Sequence, residues 1–325
     1  MYEQISQAIL SAKNILLTTH RQCDGDGLGA ELAMYHALRA LGKEARVLNV
    51  DATPNKYRFL TPDSYIQYYD THHDPIQNTD LAIIFDTNDY RLLDPLFSEI
   101  EKKCRKILFV DHHPVLKTGP EPTPGSVINT KAASTGEMVY DIIKALKAPM
   151  NRDIARALYT SIAFDTQLFR YVRNSYRSHE IAAELLRYET EPSIIHKHVF
   201  GNFTALKLKY LSKVLSEMEF FYKDRLVFLH ITSQELAKYG LSSDDSRDLV
   251  DMMMNIETVE IAIVIREDES GFFKVSIRSK GHFEVNALAE SLGGGGHVFS
   301  AGASVKMPAA ELKKQIVEHF SKFNS

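Results

Sequence analysis

Three observations predict an α/β chain: a doubly wound parallel-sheet domain, a helical connector, then a smaller α/β domain. Short apolar runs alternate with helix-period segments over residues 1–190, the pattern of parallel strands joined by helical crossovers. Residues 191–219 are helical and charge-rich, with no strand-like run. Over residues 220–325 apolar runs and helical stretches resume. At roughly 150 residues per domain, 325 residues accommodate two domains.

Each element has a local reason. Asn14–Thr19 (NILLTT) reads as a buried strand, and Gly27–Gly42 follows with apolar residues at helical spacing and a glycine stop. Ala45–Val50, Asp80–Phe85 and Lys106–Val110 are further strands. Ala132–Leu146 and Arg152–Phe164 read as helices separated by Pro149, a helix breaker. In the C-terminal part, Leu226–Ile231, Val259–Ile265, Phe272–Ile277 and Ala301–Ser304 are strand-like, whereas Glu284–Ser291 and Ala309–Phe320 are helical. Met252-Met253-Met254, Tyr57 and Tyr68-Tyr69 read as packing residues.

Composition excludes several classes. Apolar residues at 44% and charged residues at 25% are ordinary for a soluble globular protein. No apolar run approaches the ~18 residues of a membrane span. The start, Met1-Tyr2-Glu3-Gln4, lacks the basic and apolar stretches of a signal peptide. Cys23 and Cys104 are too few for a disulfide framework, so the expected location is the cytoplasm, with no membrane partner. The net charge is 38 − 42 = −4, without the basic excess that grips long nucleic acid by its backbone. A nucleic-acid substrate is therefore expected to be short.

Ligand sites in open α/β sheets lie beyond the carboxyl ends of the strands. After NILLTT come His20, Asp24 and Asp26; after the Asp80–Phe85 strand, Asp86 and Asp89. After Lys106–Val110 come Asp111, His112 and His113; after the Arg152–Phe164 helix, Asp165. Each aspartate alone is a common turn former or helix cap. Together they bring carboxylates and imidazoles from four separate segments to one sheet edge. Converging carboxylates repel one another and rise in pKa, and divalent cations are the natural compensation. Mixed imidazole and carboxylate donors suit manganese, iron or zinc, whereas an all-oxygen site suits magnesium. The ligand supply fits two metals sharing a carboxylate, an arrangement used for in-line displacement at phosphate.

Gly293–Gly296 precedes His297 between a helix and a strand. Glycines there would bare backbone N–H groups to an anion. Arg278 and Ser279, ending a strand, could clamp a phosphate by charge-assisted hydrogen bonds. From Glu260 to Ser325 basic and acidic residues balance at eight each, which favours a small pocket over a basic groove. Gly25, Gly27 and Gly29 make a poor dinucleotide fingerprint, because two aspartates lie where pyrophosphate would be repelled.

Asp111-His112-His113 after a strand, with His20, Asp24 and Asp26 upstream and Asp86 between, resembles the DHH phosphoesterase superfamily. Gly294-Gly295-Gly296-His297 followed by Ser300-Ala301-Gly302 resembles the glycine-rich motif of the DHH-associated C-terminal domain. The resemblance covers essentially the whole chain and is greatest to the bacterial nanoRNase and pAp phosphatase group. It implies that His20, Asp24 and Asp86 hold one manganese, and that Asp26, Asp86, His112 and Asp165 hold the second. His113 would face the scissile phosphate, Asp111 would orient the histidines, and Arg278, Ser279 and Gly294–His297 would bind the nucleotide. Three departures from the family pattern are Cys23 for proline, Ser300 for alanine and Gln167 for glycine, the last bearing on pocket shape.

The resemblance implies a two-metal phosphoesterase that cuts very short RNA oligonucleotides to mononucleotides and dephosphorylates 3′-phosphoadenosine 5′-phosphate. Manganese is the expected metal, with magnesium or cobalt as substitutes, and a homodimer is an expected assembly. Two other enzymatic readings are cleavage of linear or cyclic dinucleotides and hydrolysis of polyphosphate or pyrophosphate. A non-catalytic nucleotide-binding regulator is the alternative outside enzymology.

Overall fold

The computed structural model describes residues 2–60, 66–69, 76, 79–115, 122–173, 175–201, 203–241, 243–246, 249–268 and 271–321. The chain divides into two units, Met1–Asn202 and Phe203–Ser325.

The first unit runs α1 (Glu3–Ser11), β1 (Asn14–Thr19), α2 (Gly25–Ala40), β2 (Glu44–Asn49), β3 (Ile66–Tyr68), β4 (Leu81–Phe85), α3 (Leu96–Lys103), β5 (Ile107–Asp111), β6 (Val127–Ile128), α4 (Thr135–Ala145), α5 (Arg152–Asp165), α6 (Arg177–Leu185) and α7 (Pro192–Val199). Its sheet has the order β3-β2-β1-β4-β5-β6, and every pairing is parallel. Both faces are covered. Ile15 and Leu17 of β1 pack into the core that holds α2, α4 and α5. Leu16, between them, packs on the other face with Leu96 and Ile100 of α3. Burial on both sides explains why these strands read as apolar runs rather than alternating ones. The chain leaves β1 for β2 on one side and returns to β4 on the other. The switch point therefore falls between β1 and β4, with β5 next to β4.

α2 lies close against α5 because glycine faces it. A Cβ at Gly29 would sit 2.5 Å from the Ala157 carbonyl oxygen, and one at Gly27 would sit 2.3 Å from Thr19 Oγ1. The Gly-x-Gly-x-Gly spacing is thus a packing device.

The second unit runs α8 (Ala205–Leu215), β7 (Glu219–Phe221), β8 (Leu226–Ile231), α9 (Ser233–Lys238), α10 (Leu249–Met253), β9 (Ile261–Glu267), β10 (Phe273–Ser279), α11 (Asn286–Ser291), β11 (Gly295–His297), β12 (Ser300–Val305) and α12 (Ala309–His319). Its sheet has the order β11-β12-β10-β9-β8-β7. Only β8 and β9 pair in parallel; the other pairings are antiparallel. Helices predicted over 191–219 fall in both units, α7 in the first and α8 in the second. Met253 and Met254 are buried in the core of this unit, and Tyr57 in that of the first.

The glycine run differs from the sequence expectation. Gly295–His297 is a strand, paired antiparallel with Ser300–Gly302. Only Gly293 and Gly296 of the four have positive φ, +79° and +135°. Gly294 is needed for close approach instead, since its Cβ would lie 2.0 Å from the Gly302 carbonyl oxygen. Among the described residues no helix is long and apolar enough to cross a membrane.

Candidate metal centre

The carboxyl ends of β1, β4 and β5, joined by the end of α5, gather the acidic and histidine residues of the first unit. His20, Asp24 and Asp86 form one group whose candidate ligand atoms lie within 4.8 Å of one another; Asp26, His112 and Asp165 form a second. Asp86 faces both. Its Oδ2 is 3.6 Å from His20 Nε2, and its Oδ1 is 3.5 Å from His112 Nε2. His112 Nε2 is also 3.5 Å from Asp26 Oδ2 and from Asp165 Oδ2. Three carboxylates thus surround one imidazole nitrogen at the same distance.

Local structure explains each placement. Asp24 is the N-cap of α2, its Oδ1 accepting from the N–H groups of Asp26 (3.0 Å) and Gly27 (3.2 Å). The capping oxygen also lies 4.0 Å from His20 Nε2, so capping and clustering coexist. Asp26 does not cap its own helix. It accepts from the N–H groups of Thr135 (2.8 Å) and Gly136 (3.2 Å) at the start of α4, and from the Ser161 hydroxyl. The positive end of α4 therefore faces this buried carboxylate. Asp86 has φ +60°, a left-handed conformation that aspartate tolerates better than most residues. The Thr135 hydroxyl donates to its Oδ1 at 2.9 Å. Asp165 is the last residue of α5, inside the helix rather than after it.

The adjacent histidines differ. His112 is buried, with Nδ1 3.3 Å from the Ala132 carbonyl oxygen, which turns Nε2 to the carboxylates. The His113 side chain is 40% exposed, and its Nδ1 lies 2.9 Å from Asp111 Oδ1. Asp111 is fully buried and also accepts from Asn88 Nδ2 at 2.6 Å and from the His113 N–H at 3.0 Å. The hydrogen bonds place Asp111 against His113, while the backbone carbonyl of Ala132 serves His112. This narrows the expectation that Asp111 orients both rings.

Electrostatics matches the crowding. Burial, then the Asp86 and Asp165 charges, pushes the Asp26 carboxyl well above its ordinary value. Burial also raises Asp86. Burial together with the Asp86 and Asp24 charges lifts Asp165 to about 7. Burial works against a charge on His20, but Asp86 and Asp24 outweigh it and lift the ring to about 9. Burial likewise opposes a charge on His113, and Asp111 and Asp86 overcome it, giving about 10. Carboxylates held together against their own repulsion, with imidazole nitrogens aimed among them, form a donor set suited to divalent cations.

Sequence reasoning missed Thr135, Gly136 and Ser161, which hold Asp26 and Asp86, and Asn88, which holds Asp111. One signal was available. Ser134-Thr-Gly-Glu137 has the spacing of a capping box, and Ser134 Oγ does accept from the Glu137 N–H. A helix start so marked, next to a carboxylate-rich edge, is a place to look for an anion's donors.

In the second unit Arg278, Ser300 and His297 lie in one row across β10, β12 and β11, because Arg278 and His297 both register with Ser300. Directly opposed residues share a face of a sheet. Arg278 Nε is 3.6 Å from Asp251 Oδ1. Ser279 holds the turn that follows it, its Oγ accepting from the Gly281 and Phe283 N–H groups. Gly294 joins the preceding helix through its N–H to the Ala289 carbonyl, 2.8 Å.

Comparison with known proteins agrees with both units. Residues 14–162 match the DHH family, N-terminal domain, and residues 226–325 match the DHHA1 domain. The chain is 30% identical to the bifunctional oligoribonuclease and PAP phosphatase NrnA of Thermus thermophilus, over 90% of this chain and 84% of that protein. It is 26% identical to the protein of the same name from Mycoplasma genitalium, over 93% of this chain and 92% of that one. The crystal structure of an exopolyphosphatase-related protein from Bacteroides fragilis has the same fold, with a TM-score of 0.90 at 24% identity, covering 99% of this chain and 96% of that one. This chain belongs to the DHH family of phosphoesterases, with a DHH domain followed by a DHHA1 domain.

Proposed function

We propose that this phosphoesterase degrades very short RNA oligonucleotides to mononucleotides and removes the 3′-phosphate of 3′-phosphoadenosine 5′-phosphate, using two divalent cations. The observation that carries the reading is Asp86, whose two oxygens face two separate histidine–carboxylate groups. His20, Asp24 and Asp86 would hold one cation; Asp26, Asp86, His112 and Asp165 would hold the other. The mixed donors favour manganese, with magnesium or cobalt as substitutes. The bound cations supply Lewis acidity and neutralise charge developing on the phosphate.

The protein's own groups do the rest. Asp26 and Asp86 are fixed from behind by Thr135, Gly136 and Ser161, so the donor set is organised before substrate arrives. His113, oriented by Asp111, would offer a ring N–H to a phosphate oxygen. In the second unit, Arg278, Ser279, Gly294, Gly295, Gly296 and His297 would hold the nucleotide. The acidic net charge and the names of the relatives in Thermus and Mycoplasma support short substrates. We assign the activity to the cytoplasm and to a homodimer.

The test is a comparison of initial rates with Mn²⁺ on 5′-labelled RNAs of two to ten nucleotides, 3′-phosphoadenosine 5′-phosphate, a cyclic dinucleotide and pyrophosphate. Rates highest on the shortest RNAs support the proposal. A rate that rises with length, a preference for pyrophosphate, or binding of nucleotides without turnover would replace it.

A further inference from the structure

The turn that follows α5 carries an aromatic–arginine pair that neither the acidic cluster nor the glycine hairpin uses. We propose that Thr166–Arg173 is a nucleobase-binding rim on the first unit, in which the Tyr171 ring, backed by Arg170, stacks on the base of a nucleotide whose phosphate lies at the cluster. The inference rests on the nucleotide-substrate reading above and extends it to a second place where the base is held.

Both ends of the segment lie beside one imidazole. Asp165, just before it, has Oδ2 3.5 Å from His112 Nε2. Arg173, at its end, has a guanidinium nitrogen 3.4 Å from His112 Nδ1, and a second that donates to the Thr130 carbonyl. Tyr171 is two residues from Arg173, a span of at most about 7 Å. The Tyr171 N–H also bonds the carbonyl of Thr166, the residue after Asp165, which brings the Tyr171 backbone back beside the cluster.

The backbone between these ends is unusual. Gln167, Leu168 and Phe169 are three consecutive non-glycine residues with φ +47°, +58° and +67°. Glycine adopts this conformation without a steric penalty, whereas these three residues carry side chains. Such a turn persists only where its surroundings hold it. Here buried Thr166 does so, accepting from the Phe169 N–H on Oγ1 (3.0 Å) and from the Tyr171 N–H on its carbonyl (2.9 Å). Phe169 turns inward and stacks on His179, centroids 5.1 Å apart. Leu168 and Tyr171 turn outward, 41% and 45% exposed, and the Arg170 guanidinium lies over the Tyr171 ring at 5.0 Å. An exposed aromatic face on the turn that begins after Asp165, polarised from one side by a cation, fits a base. Stacking needs a π-surface but no particular base, whereas ribose or pyrophosphate offers none.

Titration calorimetry on the full Mn²⁺-loaded chain tests this, with adenosine 5′-monophosphate and ribose 5-phosphate as ligands. The wild type should bind the nucleotide more tightly than the sugar phosphate. Tyr171→Ala and Tyr171→Leu should lose about 5- to 150-fold in nucleotide affinity, the range for a lost base–aromatic stack, and the preference over ribose 5-phosphate should collapse. Tyr171→Phe should restore it. Tyr188→Ala, a change at another exposed tyrosine of this unit, should leave it as in the wild type. Circular dichroism checks the fold, and Tyr171→Phe and Tyr171→Leu decide the matter if the alanine variant does not fold. Unchanged nucleotide affinity, equal losses for both ligands, or a change only in self-association on sedimentation overturns the rim. Binding at equilibrium is separate from turnover. A wild type that cuts no RNA sinks the proposed function, while the nucleotide-to-sugar comparison still judges the rim.

Discussion

The two units position polar groups by opposite means. In the first, the candidate site side chains are charged, buried or half-buried, and crowded, and the parallel sheet with α4 and α5 holds them against mutual repulsion. In the second, Arg278 and His297 are half-buried in the antiparallel part of the sheet, and the organising element is a glycine strand pressed against Gly302 and Ala301. One site stores electrostatic free energy that a cation can release. The other relies on close backbone packing. Losses at the proposed metal-holding residues of the first unit should therefore appear in metal content and rate together, and losses in the second in substrate affinity or in folding.

The sharpest way to break the comparison is Asp86→Ala, which removes the carboxylate facing both groups. Changes to residues that merely support a metal's ligands cost about 10- to 100-fold, so this variant should lose at least about 10²-fold in rate and bind less metal by elemental analysis. Most of the wild-type rate with full metal content would dismiss the shared-carboxylate reading.

His112→Ala and His113→Ala divide the first unit further. The first should lose metal and rate together. The second should keep near-normal metal stoichiometry and lose kcat by about 10²-fold, the low end for a positioned acid–base group. The reverse pattern in a calorimetric metal titration would exchange their roles.

For the second unit, Arg278→Ala and His297→Ala should lose about 10- to 150-fold in kcat/KM on dinucleotides, as expected for one charge-assisted hydrogen bond. The loss on bis-p-nitrophenyl phosphate, which has no base or sugar, should be much smaller. Equal losses on both substrates would mean that these residues do not serve the nucleotide.

A smaller effect separates the glycines. Gly294→Ala would place a Cβ 2.0 Å from the Gly302 carbonyl, whereas Gly295→Ala meets nothing within 4 Å. Overpacking of this kind costs about 1–3 kcal/mol, so denaturant melts should show the first variant destabilised and the second close to wild type.

The mildest test is the pH dependence of metal-free stability. Asp165, lifted to about 7, and His20 and His113, lifted to about 9 and 10, bind protons more tightly folded than unfolded. Asp26 and Asp86 are raised as well. The folded state thus binds more protons, and stability falls as pH rises. The carboxylate contribution is present below the unfolded value of 3.8 and lost as pH passes 7. The histidine contribution is present below 6.5 and lost as pH passes 9 to 10. Thermal melts of the metal-free protein should therefore fall steadily between these limits, and Mn²⁺ should flatten the decline. A metal-free melting temperature that rises with pH would contradict the crowding.

The long strands and the residues that cluster at their carboxyl ends were legible because each obeys a local rule, whereas the short strands and the strand order were not read. Apolar runs become strands buried on both faces, and the residue after a parallel strand reaches the ligand edge. The groups that hold the cluster together were not legible. Thr135, Gly136 and Ser161 act on Asp26 from more than a hundred positions away; the capping box at Ser134–Glu137 marks the start of α4 but not the carboxylate it meets. The glycine run was legible as special but its strand pairing was not, because glycine signals either conformational freedom or close approach, and composition cannot separate the two. Tertiary packing chose close approach at Gly294 and left-handed backbone at Gly296. It also chose left-handed backbone at Gln167, Leu168 and Phe169. No local propensity favours that choice in these residues; the buried Thr166 and the stacked Phe169 hold it in place.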